Sequence, residues 1–445
     1  MIQIVDLIIQ PRWLLPIVPQ DTLLEQHAVV IHQGQIIDIC SSTLLAQRYQ
    51  ATENMLLDEH VLLPGLINLH THAAMSLMRG LADDVALMPW LEQHIWPAEL
   101  QFVSPSFFRE GSLLACAEML SGGVTTFNDM YFYPESTIQA AQQIGMRANI
   151  GLVVLEFPTN YASDASSYIA KGTEIRDQYK IEPLISFSFA PHAPYTVSDD
   201  TFNQINILAE QLEIGIHTHL HETAFEVAES KRQYGLSPIT RLANLGLLGA
   251  RITLAHCVHL TEADMQLLAE YGCHIAHCPS SNLKLASGIS PIAACAQLGI
   301  NIGLGTDGAA SNNRLDIFAE MRLAALLAKG QSGDATAISA YRALEMATIN
   351  GAKALGLEHQ IGSIEVSKLA DLTAVKLTDM QLQPCYDPVS HLVYVAGREH
   401  VSHVWVNGEL KYHKPSDTAG VFSHVEPHEL ADINHKWQSQ LSSFK

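Results

Sequence analysis

The sequence predicts an α/β protein in which a (β/α)8 barrel is joined to a small β-sandwich formed by the N- and C-terminal segments. In the middle of the chain, apolar runs of strand length alternate with helical patterns, and most runs end in a polar or ionisable residue. Apolar strands that alternate with helices are typical of a parallel sheet, and eight such units are typical of a closed barrel. Both ends of the chain instead carry short β patterns joined by glycine turns.

Each predicted barrel strand is a short apolar run, and segments with helical periodicity lie between these runs. The active sites of such barrels lie at the carboxyl ends of the strands, so the polar residues that end the runs are expected to meet at one mouth. The predicted helices include residues 105–121, 199–212, 224–234, 261–271 and 290–298. The predicted strands are 61–72, 123–130, 147–155, 184–192, 213–222, 251–260, 273–282 and 301–308.

The same patterns predict how the chain divides into domains. The barrel is expected to span residues 61–360. A discontinuous β-sandwich is expected from residues 1–60 plus 361–413, because both segments contain strand-like pieces and glycine turns. The polar, helix-like residues 414–445 are expected to form a C-terminal helical tail.

Composition narrows the function classes. Of 445 residues, 48% are hydrophobic, which is enough for a large core. A formal charge of −21 repels phosphate backbones and anionic lipid, so neither a nucleic acid nor a membrane is expected as a partner. The seven cysteines are scattered without a CxxC pair, and the first residues lack the basic region of a signal peptide. These features predict a cytoplasmic protein.

Two histidines stand one residue apart at the end of the first apolar run, in the stretch "PGLINLHTH". In an extended strand, His70 and His72 point to the same face. Two neutral imidazoles on one face can bind a divalent metal, whereas the alternative is a pair of polar residues at a strand end. Histidine or aspartate residues at the ends of other predicted strands favour the metal site.

Five motifs in fixed order resemble the amidohydrolase superfamily. Within it, they are similar to the branch of chlorohydrolases and aminohydrolases that includes 5′-methylthioadenosine/S-adenosylhomocysteine deaminases. The resemblance extends over about residues 1–413 and implies a barrel with a metal-dependent hydrolytic site. The motifs are "PGLINLHTH", "HTHLHET", "LAHCVHL", "HCPSSNLKLASG" and "GTDGAASNN".

The resemblance implies a metal site made of His70, His72, His219 and Asp307. Three imidazoles and one carboxylate leave a coordination position for water on Zn²⁺, although Fe²⁺ or Mn²⁺ can occupy a similar set. Members with two metals use a lysine on strand 4, and the corresponding "LISFSFAPH" contains none. One metal ion per chain is therefore expected.

The resemblance also implies the acid–base groups. The family pattern His-x-x-Glu assigns Glu222 as the proton carrier, with His256 and Asp307 beside the water that the metal activates. His217 and His221 project to the same strand face as His219, and we expect them to pack or to support the ligands. We expect the same of His259.

The expected substrate is an adenosine-type nucleoside, converted to the inosine-type product and ammonia. Nucleoside deaminases of this branch carry a tryptophan and, nine residues later, a glutamate that binds the ribose hydroxyls, and Trp90 and Glu99 have this spacing. The motif "APHAPYTVS" also resembles this branch, and the resemblance implies that His192 contacts the nucleoside. The homocysteine carboxylate of S-adenosylhomocysteine calls for an arginine, for which Arg147 is the candidate.

Several alternatives stay open. The substrate preference between methylthioadenosine and S-adenosylhomocysteine is undecided, since Arg147 can equally be a surface residue. A deaminase or dechlorinase of a free base or an s-triazine would use the same metal site without a ribose-binding carboxylate. A metal-binding barrel without catalysis is the alternative from another class, but it leaves the acid–base groups unexplained. The partner is a small molecule, and the sequence does not decide whether the chain is a monomer or a homo-oligomer.

Overall fold

Eight parallel strands form the centre of the molecule, and a second, mixed sheet is built from both ends of the chain. The computed structural model describes residues 2–415 and 420–444. In chain order, the strands are β1 (Gln3–Leu14), β2 (Leu24–Glu25), β3 (His27–His32), β4 (Gln35–Ser41), β5 (Tyr49–Pro64), β6 (Leu66–Thr71), β7 (Val124–Tyr131), β8 (Arg147–Val154), β9 (Ile185–Pro191), β10 (Gly215–Leu220), β11 (Ile252–His256), β12 (His274–His277), β13 (Asn301–Leu304), β14 (Leu372–Lys376), β15 (Val401–Val406), β16 (Glu409–His413) and β17 (Val421–Phe422).

The helices lie between the barrel strands, over the barrel mouth and at the C-terminus. A π-helical turn over Leu91–Ile95 joins the second and third of them. In chain order, they are α1 (Leu45–Arg48), α2 (Leu87–Trp90), α3 (Trp96–Phe102), α4 (Pro105–Ser121), α5 (Pro134–Ile144), α6 (Ala165–Tyr179), α7 (Asp199–Leu212), α8 (Ala224–Tyr234), α9 (Pro238–Asn244), α10 (Glu262–Tyr271), α11 (Pro279–Lys284), α12 (Ile292–Gln297), α13 (Ala309–Asn312), α14 (Ile317–Ser332), α15 (Ala340–Ala347), α16 (Ile349–Ala354), α17 (Pro388–Tyr394) and α18 (Pro427–Leu441).

Strands β6 to β13 form the barrel and pair in sequence order, each parallel to the next. Every residue of β7 and β8 is buried, as expected for strands covered by the barrel interior on one face and helices on the other. The backbone N–H of Asp307, just after β13, donates to the carbonyl of His70 in β6 (2.9 Å), so the barrel is nearly closed. The predicted fold class is confirmed.

The terminal segments form one mixed sheet in the order β17-β16-β15-β14-β5-β1-β3-β4, with β2 paired to β1. Only β1 and β5 are parallel, and the other pairs are antiparallel. Strands from both ends share a core that includes Leu7, Val29, Leu372 and Trp405. The predicted boundary between residues 60 and 61 falls inside β5, which continues to Pro64.

Helix α18 belongs to the predicted C-terminal segment and packs on the barrel. The indole of Trp437 meets the ring of Phe107 in α4, with 5.1 Å between centroids, and its Nε1–H donates to Glu110 (2.5 Å). Residues 416–419 and 445 of that segment lie outside the described residues. Within residues 2–415 and 420–444, no helix is long and apolar enough to cross a membrane.

Candidate metal centre and active site

Three histidines and one aspartate converge at the carboxyl ends of the barrel strands. His70 and His72 lie at the end of β6, His219 in β10 and Asp307 just after β13. The ring of His70 lies 4.9 Å, between centroids, from each of the other two imidazoles. One ligand atom from each histidine can be chosen so that all three atoms lie within 4.8 Å of one another. Asp307 Oδ1 lies 3.3 Å from His70 Nε2 and 3.2 Å from His72 Nε2.

The imidazoles of His72 and His219 are each held through Nδ1 by a backbone carbonyl. His72 Nδ1 lies 2.5 Å from the carbonyl oxygen of Met130, and His219 Nδ1 lies 2.7 Å from that of His192. A carbonyl oxygen only accepts, so both rings carry a proton on Nδ1. Burial holds the pKa of His219 well below its usual range, which keeps that ring neutral. The Nε2 lone pair of a neutral ring is then available to a metal.

His70 is held from behind by His217. Its Nδ1 lies 2.9 Å from His217 Nε2, and the two rings are nearly perpendicular at 88°. Burial lowers the pKa of His70 to about 4, so the ring is neutral. Its Nε2 is buried and, although Asp307 Oδ1 lies 3.3 Å away, it makes no hydrogen bond of good geometry. An unpartnered buried nitrogen is costly unless a ligand completes it, so these residues fit a metal ion.

The carboxylate of Asp307 completes the set. Its Oδ2 accepts hydrogen bonds from the hydroxyls of Ser281 (2.6 Å) and Ser311 (2.8 Å). Although burial opposes the charged form, the imidazoles of His70 and His72 hold the pKa of this carboxyl well below its usual range. Asp307 is therefore an ionised oxygen donor at neutral pH. A set of three imidazoles and one carboxylate can bind a divalent metal such as zinc.

Glu222 and His256 lie beside this set. Glu222 Oε2 is 3.8 Å from His256 Nε2, and burial raises the pKa of the Glu222 carboxyl. The backbone N–H of Glu222 donates to the Glu226 carboxylate (2.8 Å), which fixes the loop. On the other side, His256 Nδ1 lies 2.8 Å from Asn282 Oδ1, which orients the imidazole. The pair can therefore exchange a proton with a molecule bound between them and the metal ligands.

Two of these residues have a backbone conformation that favours glycine. The φ angle is +72° at His256 and +63° at Asp307. Non-glycine residues in this region cost on the order of 1–3 kcal/mol, and such residues cluster at functional sites. At Asp307, this conformation accompanies the barrel closure, where its N–H donates to the carbonyl of His70.

A cavity opens above the metal ligands. The cavity floor is formed by the polar residues at the strand ends, and its wall includes Leu87, Leu91 and Trp96 from the segment after β6. The cavity therefore has a polar, titratable end and an apolar end.

Glu99 lies in the cavity wall with its carboxyl buried. The Tyr131 hydroxyl donates to Glu99 Oε1 (2.6 Å), and burial raises the pKa of Glu99 to about 7. Trp90 lies in the same wall, and its Nε1–H donates to the carbonyl of Ala82 (3.2 Å). The second oxygen of the Glu99 carboxyl can accept hydrogen bonds from a ligand.

Residues 61–411 match the amidohydrolase family. The chain belongs to this family. Relatives named 5-methylthioadenosine/S-adenosylhomocysteine deaminase include those of Teredinibacter turnerae and Saccharophagus degradans. The first is 48% identical over 91% of this chain and 92% of the relative, and the second is 48% identical over 91% of each.

Two solved structures are similar to this chain in fold. The crystal structure of an adenosine deaminase from Xanthomonas campestris with bound zinc has a TM-score of 0.97 and 43% identity, and it covers 100% of each chain. An atrazine chlorohydrolase from Arthrobacter aurescens complexed with zinc has a TM-score of 0.88 but 23% identity, over 98% of this chain and 100% of that one. The second likeness concerns the fold alone.

The structure places almost all of the predicted amidohydrolase site residues around this one cavity. His70 lies buried beneath the cavity floor and contacts the other ligands. His221 instead points away: its Nδ1 donates to the carbonyl of His259, and its Nε2 accepts from the N–H of Ile239. The predicted residues that line the cavity are His72, Trp90, Glu99, His192, His219, Glu222, His256 and Asp307.

Arg147 is the exception, and its predicted role needs correction. It is the first residue of β8, at the opposite end of the strand from the mouth and roughly 20 Å away along it. Its guanidinium is buried and makes two hydrogen bonds to Asp371, of 2.8 and 3.2 Å, and one to the carbonyl of Pro183 (3.2 Å). Arg147 is therefore neither a substrate contact nor a surface residue. Its ion pair with Asp371 joins the barrel to the mixed sheet of the terminal segments (the outer sheet).

Sequence reasoning missed three residues of the site. Tyr131, which bonds Glu99, is the last residue of β7 and lies one position beyond the predicted strand 123–130. Asn282, which orients His256, lies in the quoted motif "HCPSSN" but was given no role. Trp96 also lines the cavity, and no local pattern distinguishes it.

Proposed function

We propose that this chain is a metal-dependent aminohydrolase that removes the amino group of adenosine-type nucleosides, giving the inosine-type product and ammonia. The observation that carries the proposal is the convergence of His70, His72, His219 and Asp307 beside Glu222 at the floor of one cavity. The names of the relatives point to methylthioadenosine and S-adenosylhomocysteine as substrates. One zinc ion is proposed, since the neighbour at 43% identity contains zinc and β9 has no lysine.

In this proposal, His70, His72, His219 and Asp307 would hold one divalent ion, and that ion would supply a water activated for attack at neutral pH. The raised pKa of Glu222 favours its protonated form, which donates to a ring nitrogen of the purine. That proton makes the neighbouring carbon, which carries the amino group, more electrophilic. Addition of water there gives a tetrahedral centre on the purine.

The remaining residues direct protons and position the substrate. His256 and Asp307 face the incoming water and accept or orient its proton. Glu222, now a carboxylate, takes a proton from the attacking water and passes it to the amino group. The C–N bond then breaks to release ammonia, and the remaining hydroxyl proton returns to Glu222 as the carbonyl of the inosine-type product forms. Glu99 accepts hydrogen bonds from the ribose hydroxyls, while Trp90 and His192 bound the space around the nucleoside. The apolar wall excludes water from the reacting atoms.

We also propose that the protein is cytoplasmic and that its partner is a small molecule. The seven cysteines are free, and six of them are buried, which supports a cytoplasmic protein. The formal charge of −21 supports a small molecule rather than a nucleic acid as partner.

The test is ammonia release by the zinc-loaded protein from adenosine, 5′-methylthioadenosine, S-adenosylhomocysteine, adenine, guanine and an s-triazine. We expect release from one or more of the three nucleosides and little from the others, because only the nucleosides carry ribose hydroxyls for Glu99. Release from a free base or the triazine alone would establish the alternative enzyme. No release from any compound, with zinc bound, would favour a barrel without catalysis.

A further inference from the structure

We propose that the cavity selects nucleosides whose 5′ substituent is an uncharged, apolar thioether, and that it discriminates against a 5′ substituent that carries an amino-acid carboxylate. This inference rests on the proposed deaminase function and names the substrate class within it. It is carried by the charge and shape of the cavity wall.

No lysine or arginine lines the cavity among residues 2–415 and 420–444. Its carboxyl groups belong to Glu99, Glu222 and Asp307, and its other titratable side chains are histidines and tyrosines. A substrate carboxylate inside this cavity would lose its hydration without gaining a cationic partner. Burying an unpaired charge is strongly unfavourable, and the like charge of an ionised Glu99 increases the cost.

Two lysines in segments next to the lining residues, Lys284 and Lys171, are bound to other groups. Lys284 precedes the lining residue Leu285, but its Nζ donates to Asp83 (2.6 Å) and to Asn313 Oδ1 (2.5 Å). Lys171 donates to the carbonyl of Tyr161 (2.5 Å) and lies over that ring. Neither side chain lines the cavity, so neither offers a free cation to a ligand.

The wall next to the proposed ribose site is apolar. Trp96 and Glu99 lie three residues apart on α3 and therefore share a helix face. A substituent that extends beyond a ribose bound at Glu99 meets Trp96, whose ring lies 6.4 Å from that of Phe157. Leu91 and Leu155 line the same cavity. A methylthio group suits this surface, because its sulfur is polarisable and packs favourably against aromatic rings.

The wall also defines how the inference can fail. Phe157 and Tyr195 are each 40% exposed and mark the rim of the cavity. If a charged substituent extends past this rim into water, its carboxylate stays hydrated and costs nothing. The two cases give different specificity constants.

The experiment compares kcat/KM for three substrates of the zinc-loaded protein: 5′-methylthioadenosine, 5′-butylthioadenosine and S-adenosylhomocysteine. The butylthio compound is a matched control, because it has a similar length without the charges. We expect the two uncharged thioethers to agree within about fivefold and S-adenosylhomocysteine to be at least tenfold poorer than either. Equal values for S-adenosylhomocysteine and the butylthio compound would overturn the inference while leaving the deaminase function intact.

A substitution at the rim of the cavity tests the same inference by gain of function. Phe157→Arg places a cation at the rim, and we expect it to raise kcat/KM for S-adenosylhomocysteine relative to the butylthio compound by at least fivefold. Phe157→Leu is the control and should leave that ratio unchanged. An unchanged ratio in the folded Arg variant would count against the inference. If adenosine releases ammonia and none of the three thioethers does, this inference fails while the proposed function stands. If none of these four compounds releases ammonia, both fail.

Discussion

Both ends of the barrel carry buried charged or titratable groups, but the two ends differ in whether the polar atoms of these groups have hydrogen-bond partners. At the amino end, every guanidinium nitrogen of Arg147 has an acceptor, in Asp371 or in the carbonyl of Pro183. At the carboxyl end, His70 and His219 are each held through Nδ1 only, and His70 Nε2 has no hydrogen-bond partner. A group whose polar atoms all have hydrogen-bond partners stabilises the fold, whereas a group with an unpartnered polar atom can bind a ligand.

Residues at the two ends of the barrel are equally buried. Arg147 and His70 are both almost fully buried, at 4% and 0% exposure. Burial by itself therefore does not identify a site residue. The end of the strand at which a residue lies identifies a site residue, because the loops that follow the carboxyl ends of parallel strands surround the mouth. Residues at the amino ends contribute to stability.

The largest effect is expected at the carboxyl end. His219→Ala removes one of the four ligands, and since metal affinity depends on the whole set, the variant should lose both bound metal and detectable ammonia release. Elemental analysis after purification without chelator measures the metal. One equivalent of metal in both proteins would show that His219 is not a ligand, and two equivalents in the wild type would exclude a single-metal site.

Glu222→Gln should leave the metal and the fold intact but lower kcat by about 10²–10⁴-fold. The amide keeps the shape of the side chain but cannot carry a proton between water and the purine. Rates of ammonia release are compared at equal zinc content, with Glu229→Gln as the control, because this partly exposed residue of α8 pairs with Arg232 and does not line the cavity. A Glu222→Gln variant with near wild-type kcat would contradict the assigned acid–base role.

Glu99→Gln should lower kcat/KM for nucleosides by tenfold or more. A charged acceptor contributes about 1.5–3 kcal/mol for each hydrogen bond, and the amide accepts more weakly. The matched control is the 2′,3′-dideoxy analogue, which lacks the hydroxyls and should be a poor substrate for both proteins. If wild type treats the ribose and dideoxyribose substrates equally, Glu99 does not bind ribose.

The same residue predicts a pH dependence. Burial raises the pKa of Glu99 to about 7, so the carboxyl is largely protonated below that pH and ionised above it. Only the ionised form accepts through both oxygens, so kcat/KM for a nucleoside should rise with pH through this pKa. A bound cation nearby lowers the pKa, which places the inflection at or below pH 7. This inflection should be absent in Glu99→Gln.

The smallest effect on catalysis is expected at the amino end. Arg147→Met leaves Asp371 buried without its partner and should lower the free energy of unfolding by about 3–5 kcal/mol. The activity of the folded protein should stay within about twofold of wild type, because the mouth is at the other end of the strand. Urea unfolding and kcat/KM are measured together. A large change in specificity towards S-adenosylhomocysteine would return Arg147 to the site.

Much of the fold was predictable because its signals are local. Apolar runs of strand length alternate with helices, and the predicted helices 105–121, 199–212 and 224–234 match α4, α7 and α8. Candidate ligands were predictable for the same reason, since the period of two in a strand sets His70 and His72 on one face. The boundary at residue 60 was less accurate, because β5 is apolar where it passes from the outer sheet towards the barrel.

The sequence by itself determined the succession of elements, the strand ends that carry histidine, aspartate and glutamate, and the family to which they belong. Only the tertiary structure decided that Arg147 meets Asp371, that Tyr131 bonds Glu99 and that Asn282 orients His256. The physical reason is distance along the chain. Periodicity and turn chemistry act between neighbouring residues, whereas these partners are 26 to 224 positions apart and meet only when the barrel closes and the outer sheet packs on it.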